Sequence, residues 1–144
     1  MMSLRNPLQK MSKSDNQDLS RINLTDSSDE IRNKVRKAVT DSTGRITYDP
    51  TTRPGVSNLV SIYAAISGLN HSETCERFEG KQTVDFKDEL AEILVERLSP
   101  IREKIAQLEE NMDYVEGVLR EGSEKATAMA EENLNEIKRL VGIL

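Results

Sequence analysis

The chain has 144 residues and a net charge of −5, with 36% hydrophobic, 31% charged and 3% aromatic residues and no tryptophan. This length suits one ordinary domain, and the scarcity of aromatic residues argues against a β-sandwich or barrel and favours a helical protein. The negative charge argues against a strongly cationic coat for nucleic acids. The single cysteine, Cys75, excludes an intrachain disulfide, and no apolar run reaches the length of a membrane span, so no membrane association is expected.

Residues 1–25 show no apolar periodicity and are predicted to form a flexible loop region. Within it, the stretch QKMSKSDNQ from Gln9 to Gln17 brings two lysines and two serines together. The sequence shows no obvious element against which residues 1–24 could pack. We therefore predict a first region, 1–25, that is distinct from a helical domain, 26–144.

The first helix is predicted from about Ser28 to Thr40. Ser27 precedes Glu30 by three residues, which is the pattern of a capping box. Apolar residues then recur at helical spacing: Ile31, Val35, Ala38 and Val39. The segment from Ile46 to Pro50 is β-prone and is closed by proline, so it is predicted to be an extended linker or a single strand.

Two further helices are predicted before residue 80. The first runs from about Ser57 to Ser67 and is apolar around much of its circumference, which indicates a buried helix. The second is short, is predicted to be capped by Ser72, and ends near Gly80.

The last third of the chain is predicted to be helical with interruptions. Apolar residues recur from Val84 to Leu119, and a break or bend is expected at Pro100, with Ser99 as a cap. A final helix is predicted to start at Ser123, after Gly122. The predicted fold is therefore all-α, an irregular helical bundle preceded by the loop region.

The five residues Lys10-Met11-Ser12-Lys13-Ser14 spell KMSKS, the signature sequence of class I aminoacyl-tRNA synthetases. A string of five specified residues is strong among short motifs. The rest of the chain agrees with it. Stretches that resemble the C-terminal portion of tryptophanyl-tRNA synthetases of the bacterial and mitochondrial type include Ser3–Pro7, Ala38–Ser42, Pro54–Leu59, Phe78–Lys81 and Gly122–Ala126, and the closing Lys138–Leu144 is similar to the mitochondrial members.

The resemblance implies an enzyme, a tryptophan–tRNA ligase, that uses ATP and Mg²⁺ to join tryptophan to tRNA(Trp) through a tryptophanyl-adenylate. It also implies a homodimer and a location in the mitochondrial matrix, with the bacterial cytoplasm as the alternative. Lys10 and Lys13 are the implied catalytic residues, and Lys10, Met11, Ser12, Lys13 and Ser14 are implied to bind ATP. Ammonium groups on this loop would stabilise the charge that develops on pyrophosphate as it leaves.

The sequence departs from the family in one large respect, because the Rossmann-type half with its HIGH-type motif does not occur in it. We therefore expect a C-terminal fragment that does not aminoacylate tRNA alone. The alternative is a non-catalytic helical module that binds tRNA or a protein partner and merely retains the loop. A structural helical protein with no ligand is a third hypothesis.

Other candidate residues are weaker. Arg32 and Arg36 lie one turn apart on the first predicted helix and could contact tRNA phosphates, but a solvated basic flank beside Lys34 and Lys37 is the favoured explanation. The tRNA-binding residues are left open. His71 and Cys75 have the spacing of two metal ligands on a helix, but no second pair completes a site, so no metal ligands are predicted.

Overall fold

A computed structural model describes residues 1–143 of the chain. The described residues form a short 3-10 helix (Asp18–Ser20) and five α-helices: α1 (Ser28–Arg36), α2 (Pro54–Ser67), α3 (His71–Arg77), α4 (Thr83–Glu109) and α5 (Met112–Leu140). They contain no β-strand, only an isolated antiparallel bridge between Met2 and Lys10. The predicted all-α class is therefore confirmed. The chain divides into two compact units, Met1–Glu103 and Lys104–Leu144.

The core of the first unit is formed mainly by apolar side chains of α1, α2 and α4. Buried apolar residues outside the helices complete it: Leu4, Ala38, Ile46 and Phe78, the last directly after α3. The rings of Phe78 and Phe86 meet edge to face with centroids 4.7 Å apart, and Tyr63 packs against Phe78 at 4.9 Å. Such pairs add to the stabilisation that burial of their area provides.

Residues 1–24 are packed within the first unit, so the expectation that they have no partner is wrong. Leu4 is buried, its amide donates to the carbonyl of Ser20, and its own carbonyl accepts from the amide of Val39, both at 2.8 Å. These are backbone bonds between irregular segments, which leave no apolar periodicity to recognise. The predicted boundary between regions 1–25 and 26–144 stays a prediction. In the structure, residues 1–103 form one compact unit.

Helix α1 begins as predicted and ends earlier. The Ser27 hydroxyl accepts from the Glu30 amide, and the Glu30 carboxylate accepts from the Ser27 amide, which completes the capping box. The helix ends at Arg36 instead of Thr40. Two cationic side chains bind the carbonyls at this end: Arg5 donates to Lys37, and Lys87 donates to Ala38 at 2.8 Å. The chain is thereby turned towards Leu4.

The ends of α2 and α3 also differ slightly from the predicted ones. Pro54 is the first residue of α2, a position where its missing N–H costs nothing. Gly68 follows the helix with a φ of 75°, a left-handed conformation that favours glycine. Helix α3 is capped by Asn70 and not by Ser72, because the Asn70 side chain and Glu73 form a second capping box. The segment from Ile46 to Pro50 is irregular, in agreement with the predicted linker.

The sequence predicts a break or a bend at Pro100, and because α4 is continuous through Pro100, a break is wrong, whereas a bend stays a prediction. Proline removes one helical N–H, and that loss alone does not end a helix whose flanking turns are supported. Ser99 does not act as a cap; its hydroxyl donates to the carbonyl of Val95 at 2.7 Å and accepts from Arg102 at 3.0 Å.

The second unit contains the end of α4 and the 29-residue helix α5. The predicted start at Ser123 is wrong, because α5 begins at Met112 with Asn111 as its N-cap and passes through Gly117 and Gly122. None of the residues described in α5 is buried. The last residue, Leu144, belongs to the stretch that resembles mitochondrial members and lies outside the described residues. None of the helices in the described part of the chain is both long and apolar enough to cross a membrane.

Candidate phosphate-binding loop

The five residues Lys10–Ser14, termed here the signature loop, lie on the surface of the first unit. Lys10, Ser12, Lys13 and Ser14 are exposed, whereas Met11 is partly buried and packs against the core. The hydroxyls of Ser12 and Ser14 are 2.9 Å apart, and the Ser14 amide donates to the Ser12 hydroxyl at 3.3 Å. These contacts bend the loop sharply and leave its lysines in solvent.

The first limb of the loop is held by backbone bonds and by one buried amide side chain. The Ser3 amide donates to the Gln9 carbonyl at 2.8 Å, and Lys10 forms the bridge with Met2. Asn58, on α2, accepts from the Met2 amide and donates to the Met2 carbonyl, both at 2.8 Å. The side chain of Asn58 thereby satisfies both backbone polar groups of one residue, Met2, which fixes the position of Met2 against the helix.

The second limb leads into a network of side chains. Asp15 follows the loop directly, and its carbonyl accepts from Arg21 at 2.8 Å. Arg21 also pairs with Asp18 at 3.2 Å and donates to Asn23 at 3.1 Å. The pKa of Asp15 is lowered, mainly because its carboxylate accepts from the Gln17 amide. Asp15 is thus already engaged in the turn that closes the loop.

Lys34 lies beneath this network, and the expectation that it is a solvated residue is wrong. Its side chain is 2% exposed, and its ammonium group contacts Asp26 at 2.6 Å and Asp18 at 2.8 Å. Lys34 follows Ile31 by three residues and precedes Ala38 by four, so it occupies the apolar stripe of α1. That register was the one signal in the sequence that could have identified it.

The loop can bind an anion with several oxygens. In the described part of the chain neither Lys10 nor Lys13 forms an ion pair, so both charges are available to a ligand. Two hydroxyls lie between and beside them, and hydroxyls can donate to phosphate oxygens. An exposed loop of this composition suits a polyphosphate that carries charge on several adjacent groups.

The arginines of α1 are less available than the sequence indicates. Arg32 forms a two-bond contact with Glu92, at 2.7 and 3.0 Å, and also pairs with Asp29. This contact with Glu92 is the main reason why the pKa of Arg32 is raised. Arg36 has Asp88 at 3.8 Å. A phosphate would have to compete with these carboxylates for either guanidinium group.

The predicted pair His71 and Cys75 is not arranged around a common ligand. The His71 ring stacks on Tyr48 with centroids 3.9 Å apart, and its Nε2 lies 3.4 Å from the Ser61 hydroxyl. Burial raises the pKa of the Cys75 thiol. Within residues 1–143, no three His, Cys, Asp or Glu side chains are grouped as a metal site.

A helical unit that carries an exposed Lys-Met-Ser-Lys-Ser loop before its first α-helix defines a class I aminoacyl-tRNA synthetase module. A family model described as "tRNA synthetases class I (W and Y)" matches residues 1–99. The chain therefore belongs to this family of synthetases, on its tryptophanyl branch, as the relatives below indicate.

The relatives include both bacterial and mitochondrial proteins. The chain is 44% identical over 144 residues to a tryptophan–tRNA ligase of Rickettsia typhi, covering 100% of this chain and 44% of the relative. It is 44% identical over 143 residues to a mitochondrial tryptophan–tRNA ligase of Dictyostelium discoideum, covering 99% of this chain and 38% of the relative. The chain thus spans less than half the length of either relative.

A solved structure gives the same result. The fold is similar to the crystal structure of tryptophanyl-tRNA synthetase from Mycoplasma pneumoniae, with a TM-score of 0.68 and 31% sequence identity. The similarity covers 74% of this chain and 34% of that one. The family that the signature loop predicted is confirmed.

Proposed function

We propose that the chain is the signature-loop and helical part of an enzyme that attaches tryptophan to tRNA(Trp). The observation that carries the proposal is the exposed loop in which Lys10 and Lys13 have no carboxylate partner among residues 1–143, in a chain of the tryptophanyl-tRNA synthetase family. The share of the relatives that it covers supports the further proposal that the chain acts with a catalytic half that its sequence does not contain.

The reaction has two steps. The tryptophan carboxylate attacks the α-phosphorus of ATP, the bond from that phosphorus to the bridging oxygen breaks, and pyrophosphate leaves with the electron pair. A hydroxyl of the tRNA terminus then attacks the tryptophanyl carbonyl, loses its proton, and releases AMP. The loop acts in the first step, where Lys10 and Lys13 bind the β- and γ-phosphates and stabilise the charge that develops there.

The residues around the loop suit phosphate better than a bare metal ion. Lysines and serine hydroxyls bind phosphate oxygens, whereas Mg²⁺ prefers carboxylates, and Asp15 is held by the Gln17 amide. We therefore assign Mg²⁺ to the phosphates of the bound ATP. Bound there, the ion would neutralise part of the negative charge on the phosphates.

The cellular setting is part of the proposal. One relative is mitochondrial and several are bacterial, so the mitochondrial matrix is proposed and the bacterial cytoplasm is the alternative. A homodimer is proposed for the complete enzyme. These assignments are carried by family resemblance.

A chimera tests the function. The segment of the Rickettsia typhi relative that matches this chain is replaced by residues 1–144, and tryptophan-dependent ATP–pyrophosphate exchange and charging of tRNA(Trp) are measured. We expect both activities with tryptophan and neither with tyrosine. Lys13→Ala should lower the exchange rate about 100-fold or more, the scale seen when one group that stabilises developing charge is removed. Lys37→Ala, at an exposed lysine outside the loop, is the matched control and should be neutral.

The non-catalytic module gives a different set of results. In that case the chimera would fail in exchange, while the isolated 144-residue chain would shift tRNA(Trp) in a gel and not an unrelated tRNA. Equal weak binding of both tRNAs with a steep salt dependence would indicate only nonspecific charge attraction. If Lys13→Ala left an active chimera unchanged, the assigned role of the loop would be wrong.

A further inference from the structure

Lys34 is an unusual residue to find in the core of a small helical unit. Its side chain is 2% exposed, and its charge is balanced by Asp26, which is itself buried, and by the half-exposed Asp18. Burial of the ammonium group opposes its charge and would lower the pKa of Lys34, but the two carboxylates outweigh this effect and raise it. Lys34 is therefore charged at all physiological pH values.

A buried ion pair of this kind is a poor way to gain stability. The cost of removing the charges from water offsets most of their attraction, and apolar residues of similar volume are often as stable or more so. What such a pair does provide is a fixed geometry, since each charge must remain in contact with its partner. The role of Lys34 is therefore sought in the residues whose positions it fixes.

Lys34 connects α1 to the signature loop through a short series of polar contacts. Its ammonium group binds Asp18, Asp18 binds Arg21, and Arg21 donates to the carbonyl of Asp15, the residue directly after the signature loop. The distances along this path are 2.8, 3.2 and 2.8 Å.

The other carboxylate of the ion pair, Asp26, is held by the irregular segment before α1 and by α4. Asp26 accepts from the amide and the side chain of Asn23, and the Asp26 carbonyl accepts from Arg102 of α4 at 2.8 Å. The Lys34 ammonium group therefore lies between a carboxylate held by the scaffold, Asp26, and one that leads to the loop, Asp18.

We propose that Lys34 is a positioning residue for the signature loop: through Asp18 and Arg21 it holds Asp15, the residue after the loop, in one place, and so fixes the position from which Lys13 meets phosphate. This inference rests on the proposed function for its catalytic consequence. The anchoring itself is a property of the described structure and is tested separately. Lys34 does not touch substrate in this proposal.

The principal variant is Asp18→Asn. It weakens the link between Lys34 and Arg21 and leaves the buried pair of Lys34 with Asp26 in place. Asp88→Asn is the matched control, because Asp88 is a helix-facing carboxylate with the same 58% side-chain exposure and pairs with Arg36 of α1. A second variant, Lys34→Met with Asp26→Asn, removes the buried charges together and leaves no unpaired ion in the core.

The first measurement is amide hydrogen exchange on the 144-residue chain. We expect exchange at residues 12–15 to accelerate about tenfold in Asp18→Asn and in the double variant, the scale of one lost charged hydrogen bond, with no change in the core of α2. Asp88→Asn should leave these amides unchanged. Equal exchange in all variants would overturn the proposal.

The second measurement is kinetic and uses the chimera. Asp18→Asn should lower kcat of ATP–pyrophosphate exchange about tenfold with an unchanged KM for tryptophan, since the loop acts on the leaving pyrophosphate. A merely structural loss would lower the active fraction, which active-site titration detects, and not the rate per active site. If the unsubstituted chimera is inactive, the proposed function fails, and amide hydrogen exchange still tests whether Lys34 positions the loop. If the chimera is active, and Asp18→Asn changes neither amide hydrogen exchange at residues 12–15 nor kcat, the positioning role of Lys34 is refuted and the proposed function is not.

Discussion

Gly55 lies so close to the carbonyl oxygen of Val39 that a Cβ at position 55 would be 2.4 Å from that oxygen. The same Cβ would be 3.2 Å from the Cα of Thr40. Both neighbours are backbone atoms, which cannot rotate away as the end of a side chain can. The glycine therefore allows the first turn of α2 to approach the segment that follows α1.

Replacement of Gly55 by alanine should destabilise the protein by about 1–3 kcal/mol, the cost of overpacking at a site that cannot relax. Thermal or denaturant unfolding of the chain measures this. Gly117→Ala is the control, since no atom of residues 1–143 lies within 4 Å of a Cβ at that helical position. This control should be neutral or stabilise slightly, as alanine does in exposed helices. Equal stability of the two variants would show that the contact at Gly55 is not a tight one.

Much of the fold was predictable because local chemistry determines where helices begin. The capping box of Ser27 and Glu30 predicts the start of α1, and the apolar run after Pro54 predicts α2. The ends were less predictable, because long-range contacts decide them: Arg5 and Lys87 end α1 at Arg36. Pro100 and Gly122 are helix breakers only on average, and neither interrupts its helix here.

The site was predictable only in part. The signature loop is a local string, so the sequence alone identifies it. Its support is not local, since Asn58 reaches back 56 residues to Met2, and Lys34 meets Asp18 across an irregular segment. A lysine among other charged residues looks solvated until its helical register is considered. Sequence patterns predict single elements, whereas the support of the signature loop depends on how several elements are packed.

Asp41 is expected to make stability depend on pH at the acid end. Its carboxylate accepts two hydrogen bonds from Arg53, at 2.8 and 3.0 Å, and this contact is the main reason why the pKa of Asp41 falls from 3.8 to about 2. Because the folded state binds a proton less readily than the unfolded state, the contribution is complete above pH 4 and is lost as the pH falls towards 2.

The measurement compares the free energy of unfolding of the native chain and Asp41→Asn between pH 2 and pH 7. The native chain should be more stable by about 1 kcal/mol near neutrality, a value reduced for the partial exposure of the pair, and the difference should vanish near pH 2. Other carboxylates titrate equally in both proteins. A difference that did not change with pH would mean that Asp41 acts by shape and not by charge.

Ser27 should contribute a measurable share of the stability of the first unit. Its hydroxyl accepts from the Glu30 amide at 3.3 Å, and its amide donates to the Glu30 carboxylate at 2.7 Å. Ser27→Ala should cost about 1 kcal/mol, the usual loss at a helix N-cap, whereas Ser27→Thr should retain most of the stability, since its hydroxyl can still accept from the Glu30 amide and donate to the Glu30 carboxylate. Denaturant unfolding of the three proteins checks this order, and an alanine variant as stable as the native chain would contradict it.

The carboxylate of Glu89 accepts hydrogen bonds from the buried Tyr63 and from the exposed Arg77 and Lys81, at 2.8–3.1 Å. Partial burial alone would raise the pKa of Glu89, and the three donors outweigh it and lower the pKa. Glu89→Gln keeps the shape but loses the charge, and it should lower the free energy of unfolding by about 1–2 kcal/mol, since hydrogen bonds to charged groups exceed neutral ones.

Tyr63→Phe provides the matched partner for a double-mutant cycle. It removes one donor and leaves the ring against Phe78, so alone it should cost about 1 kcal/mol. Together with Glu89→Gln it should cost less than the sum of the two, because both changes act on one hydrogen bond. Strict additivity would show that Tyr63 and Glu89 contribute independently. In that case the two basic residues, Arg77 and Lys81, would account for the whole effect of the carboxylate.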